Sequence, residues 1–168
     1  GTSYQKRQAY LLSNDEIIQL DSSIHSIGKS KKNDVFAIAS DSKIVTTKGW
    51  EGEIIQSFKL NNTKELGITE IIPFNDGNKV LLVSSDGIFL ISRNEEKMIH
   101  PVPDLEDEES DSYIDMENAT LSNDNNYIVV GDQCSDHRIL DSEGNFVGKV
   151  GPQSSYPHFC SFSKDDSQ

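Results

Sequence analysis

The chain has 168 residues, 35% hydrophobic and 26% charged, with a formal net charge of -13. That length suits one ordinary domain, and the acidic balance argues against nucleic acid and anionic membrane as partners, since phosphate binding needs a basic footprint. No apolar run reaches the ~18 residues of a membrane-spanning helix.

In chain order, the opening residues Gly1 to Arg7 lack an apolar signal core, and Gly1 to Ser3 read as a cloning remnant. Ala9 to Leu20 then read as a hairpin around Asn14-Asp15. Three units of four short strands follow, over residues 24–58, 68–102 and 116–150, each strand bounded by Gly, Asn, Asp and Ser. Taking the strands of a unit as A to D, the B strands are the apolar runs Val35 to Ala39, Val80 to Ser84 and Tyr127 to Gly131. Their continuous hydrophobicity predicts burial on both faces. The last segment, 156–168, reads as one further A strand, His158 to Phe162, running into a turn.

The spacing decides between a sandwich and a propeller. The B runs recur after about 45 and then about 47 residues, and a repeat of about 40–50 residues with four strands marks a propeller blade. The expected fold is therefore all-β: a partial β-propeller of four-stranded antiparallel blades, about three full blades with partial blades at both ends. The N-terminal hairpin supplies a C–D half and the last segment an A strand. The expectation follows that strand B and the remaining blades come from another polypeptide or from residues absent from this chain.

The A–B turns carry a common word: Phe74-Asn-Asp-Gly-Asn, Leu121-Ser-Asn-Asp-Asn and Phe162-Ser-Lys-Asp-Asp. This resembles the Phe-Ser-Pro-Asp-Gly element of WD-repeat propellers. The Trp-Asp dipeptide that ends strand C in typical WD repeats is missing here, so the likeness is to a diverged, WD-repeat-like propeller. It implies a scaffold for binding a protein or peptide. Asn and Asp also suit such turns on their own account, because they tolerate left-handed backbone and bond to nearby amides.

Candidate sites fall mainly on the end of the blades where the D–A and B–C connections emerge. The D–A segment from Asp104 to Tyr113 is acidic, and Asp107, Glu108 and Glu109 could meet a basic partner or a hard cation such as calcium. It lacks the ligand spacing of an EF-hand loop and suits a solvated loop equally. The third B–C segment is longer than its counterparts and offers Gln133 and Asp136 as contact residues. Cys134 with His137, and His158 with Cys160 at strand spacing, could supply two thiolates and two imidazoles to a tetrahedral zinc. The competing reading is a small core cysteine at 160, aligned with Ile72 and Ala119, beside unrelated histidines. His158 also aligns by turn with Glu117, Glu70 and, roughly, His25, which could do acid–base work in a central channel or simply line a polar, water-filled one. Trp50, in a C–D turn, is either an exposed contact anchor or a ring packed on its own hairpin.

No serine-hydrolase elbow, phosphate loop or metalloprotease motif is present in the sequence. The expected function is a non-catalytic protein-interaction module. The alternative is a propeller hydrolase, or the propeller portion of a peptidase whose catalytic residues lie outside this segment. Two cysteines make no disulfide framework and leave the compartment open, with the cytoplasm as the default.

Overall fold

The structure, a computed structural model, describes residues 8–13, 16–22, 24–40, 43–61, 67–101, 118–131, 137–150 and 160–167. Among these there is no helix. The strands β1 (Gln8–Ser13) and β2 (Glu16–Ser22) form a two-stranded antiparallel sheet. The first four-stranded sheet holds β3 (Ile24–Lys29), β4 (Val35–Ser40), β5 (Ile44–Gly49) and β6 (Ile54–Lys59). The second holds β7 (Ile68–Pro73), β8 (Lys79–Ser84), β9 (Gly87–Ser92) and β10 (Glu95–Pro101), and the third β11 (Asn118–Leu121), β12 (Tyr127–Gly131), β13 (Arg138–Asp141) and β14 (Phe146–Lys149). In each sheet the strands pair antiparallel in chain order, so every sheet is a four-stranded meander. Pro101 closes β10, an edge strand that can spare a backbone donor.

Strand alternation explains how the sheets stack. Successive side chains on a strand point to opposite faces. On β8, Val80 and Leu82 join Ala37, Ala39, Val45 and Phe58 of the first sheet in one apolar core. Leu81 and Val83 face the other way and join Leu121, Ile128, Val130 and Leu140 of the third sheet in a second core. Ile71 and Ile72 on β7 divide in the same manner. The middle sheet is thus sandwiched, and an apolar run with no polar interruption is what such a position requires. Three blades stacked face to face, each a four-stranded antiparallel meander, form a β-propeller arrangement.

The A–B turns share one hydrogen-bond pattern. Phe74, Ser122 and Ser163 each accept an amide three residues on, from Gly77, Asn125 and Asp166. Those three residues have φ of 73°, 63° and 57°, the left-handed region that glycine enters without strain and Asn and Asp tolerate. The side chains of Asp76, Asp124 and Asp165 accept the amides of Asn78, Asn126 and Ser167, closing each turn on itself. This corrects the sequence alignment by one residue. Phe74 stands with Ser122 and Ser163, not with Leu121 and Phe162, because the left-handed position, rather than the aromatic, sets the register. Cys160 therefore corresponds to Ala119 and Ile71 instead of Ile72, and the sequence position of His158 corresponds to Thr69 instead of Glu70.

Candidate functional site

The two ends of the blades differ in what they present. At the A–B end, the turns are tied to one another across the blade boundaries. The Lys32 amide donates to Asn75 Oδ1 at 3.0 Å, and Asn33 Nδ2 to the Asn75 carbonyl at 2.8 Å. Asn75 makes the same two kinds of bond toward the third blade, from one place earlier in its turn: its amide donates to Asn125 Oδ1 at 2.5 Å, and its Nδ2 to the Asn123 carbonyl at 2.8 Å. Asn123 repeats it again toward the final turn, its amide donating to Asp166 Oδ1 at 2.7 Å and its Nδ2 to the Ser163 carbonyl at 2.8 Å. Each turn donates forward to the next, which makes a one-way ladder of asparagines along this end.

The C–D turns lie at the same end, and the third one is held from the second blade. Lys79 Nζ donates to the Ser142 carbonyl at 3.2 Å and pairs with the Glu143 carboxylate, while Lys97 Nζ donates to the Glu143 carbonyl at 2.7 Å. Trp50, in the first C–D turn, is 37% exposed. Its ring centroid lies 5.3 Å from that of Phe36, and the Lys29 ammonium sits 5.7 Å from it. One face of the indole is therefore spent on its own blade, and only the remainder could meet a partner.

The opposite end carries the connections into strands A and C. Residues 102–117 join β10 to β11 and residues 132–137 join β12 to β13. The corresponding B–C turn of the second blade is only Ser85-Asp86, with the Asp86 amide on Ser84 Oγ. Of the residues expected in these segments, Asp107, Glu108, Glu109, Gln133, Cys134 and Asp136 lie outside the described residues, as does His158. His137 is described and fully buried. Its Nε2 lies 2.9 Å from Asn118 Oδ1, which commits that edge of the ring to β11, across the intervening strand β12. The ring packs on Gly131, where an added β-carbon would sit 2.7 Å from His137 Cδ2, so only glycine fits opposite it. The Asn118–His137 pair was missed by sequence reasoning, since it spans two strands and shares no motif.

Cys160 is partly buried, and that burial pushes its thiol above the ordinary value, which favours the neutral packing form over a thiolate. Glu70 lies on β7, where β3 and β7 run close together. Partial burial raises its carboxyl, opposed by the Lys31 ammonium. Among the described residues no three His, Cys, Asp or Glu side chains gather to hold a metal. A polar groove of about 240 Å³ runs between the first two blades, lined by Ser57, Lys59, Asn61, Arg93 and Asn94 among others. It is smaller than the ~300–1,000 Å³ usual for a small-molecule pocket.

No family model matches the chain, and the comparison with curated proteins gives no match. Among solved structures it is similar to the β-propeller domain of Cps50 (Swd1) from Myceliophteria thermophila, with a TM-score of 0.59 at 10% sequence identity. The similarity covers 96% of this chain and 53% of that one, so the chain spans about half the length of that domain. At this identity the likeness shows the fold alone: the chain folds as β-propeller blades.

Proposed function

We propose that the chain is a non-catalytic protein-interaction module that presents the loops of its D–A and B–C end to a protein or peptide. The observation that supports this most is the contrast between the two ends. The A–B end is spent on holding blades together, whereas the segments that depart from the repeat, 102–117 and 132–137, both spring from the opposite end. Loops carried on a rigid scaffold are where binding residues concentrate. The acidic residues Asp107, Glu108 and Glu109 favour a basic partner, with Gln133 and Asp136 as further polar contacts.

Loop variants test this reading. Binding of the chain to an array of basic peptides is expected to fall at least roughly tenfold when Asp107, Glu108 and Glu109 are all replaced by Lys, with the fold unchanged by circular dichroism. Equal binding by the variant and the parent would overturn it. Metal analysis of the same preparation decides the zinc reading for Cys134, His137, His158 and Cys160: one equivalent, lost in Cys134→Ala, would make that end a metal-held platform.

A further inference from the structure

One buried layer of the third blade departs from its counterparts in the other two. The carbonyls of Val35, Lys79 and Tyr127 each take the amide that enters an A–B turn, from Ser30, Phe74 and Ser122, which fixes the register between blades. Four residues on in strand B stand Ala39, Val83 and Gly131. Strand A sets Ser26, Glu70 and Asn118 opposite them. Strand C sets Val45 and Ile88 opposite the first two, and His137, beside the Val130–Arg138 pair, opposite the third. In the first two blades the B and C members are apolar and belong to the cores. In the third, a buried imidazole meets a buried amide, and Gly131 is the B member that admits the ring.

The polar layer is the less stable choice. Asn118 Oδ1 meets His137 Nε2 at 2.9 Å, but Asn118 Nδ2 is buried with no hydrogen-bond partner among the described residues. A buried donor left unmet destabilises, and apolar side chains of similar size in its place would not. Departures of this kind from the local rule are expected at functional sites.

Placement says what the pair does. The segment 102–117 runs into Asn118, and the segment 132–136 runs into His137. The His137 carbonyl also accepts the Val150 amide at 3.0 Å, so the same residue is tied to the far side of the blade. Both connections that depart from the repeat therefore rejoin the sheet at one hydrogen bond. Apolar contact, as between Val83 and Ile88, is non-directional, whereas a hydrogen bond fixes an orientation. From these observations we infer that Asn118 and His137 are positioning residues, whose bond holds the feet of the two connections against each other so that both meet a partner as one surface. The inference rests on the proposed function for its partner, a basic peptide, and on the described layer for the clamp itself.

The double variant Asn118→Leu, His137→Val tests it, since it gives the third blade the apolar layer of the other two. Its urea midpoint is expected to hold or rise, while affinity for the basic peptide that the parent binds best falls roughly tenfold. Amide exchange in 102–117 and 132–136 is expected to quicken at least roughly tenfold, with β8 and β9 unchanged. His137→Gln keeps an N–H donor for Asn118 and is expected to stay within about threefold of the parent in affinity. A lowered midpoint or an unfolded double variant overturns the inference, since the pair then only holds the fold. So does parent-like exchange in either segment, parent-like affinity in the double variant, or a His137→Gln variant as weak as the double variant. If peptide binding is indifferent to the lysine replacements of Asp107, Glu108 and Glu109, the proposed function fails, while the midpoint and the exchange still decide the clamp.

Discussion

Single residues in the turns set both the register and the acid sensitivity of the fold. Asp124 and Asp141 are held below the ordinary carboxylate value chiefly by backbone amides, those of Asn126 and Asn145, and Asp165 chiefly by the Ser167 hydroxyl. A carboxylate with a lowered folded pKa contributes stability that is present above its unfolded value and lost as pH falls through the folded one. The urea midpoint is therefore expected to hold from neutral pH down to about 4 and to drop below it, with the drop reduced in Asp124→Asn. Glu70 has the opposite sign, since burial raises it, and Glu70→Gln is expected to lift the midpoint at pH 7. The sequence showed that Asn and Asp would crowd these turns. It could not show which residue would adopt positive φ, because Phe74, Leu121 and Phe162 look equivalent as letters and differ by one place in space.

At the scale of strands, the middle blade carries the most consequence. Leu82 is fully buried in the core shared by the first two blades. Leu82→Ala is expected to cost about 2–5 kcal/mol by urea denaturation, through lost apolar contact and the cavity left behind. The strand order was legible from period and turn residues, because runs such as Val80 to Val83 are too short and too apolar for anything but a strand buried on both faces. The pairing of His137 with Asn118 was not legible, since it reaches across an intervening strand, β12, and depends on Gly131 of that strand leaving room between them. Five of the partner-contact candidates rested on loop composition alone, and Trp50 shows the weakness of that route. The tryptophan does lie at a turn, yet Phe36 and Lys29 already occupy much of it.

For the whole molecule, protection should follow the stacking order. The amides of β8 and β9 sit in a blade covered on both faces, while β1 and β2 belong to a two-stranded sheet. Hydrogen exchange is expected to be slowest in β8 and β9 and fastest in β1 and β2, and uniform exchange across the blades would contradict nearest-neighbour stacking. The asparagine ladder adds something that stacking alone does not. Because every rung hands a donor forward and takes an acceptor from ahead, the third unit could be followed by a copy of itself without mismatch, the Asn123 amide then meeting a second Asn125. The second unit could not, since Gly77 stands at the acceptor place and carries no side-chain oxygen. Duplication of a blade in place is thus open to the unit with asparagine at that turn position, while an inverted or half-unit insertion would break the chain of donors at once.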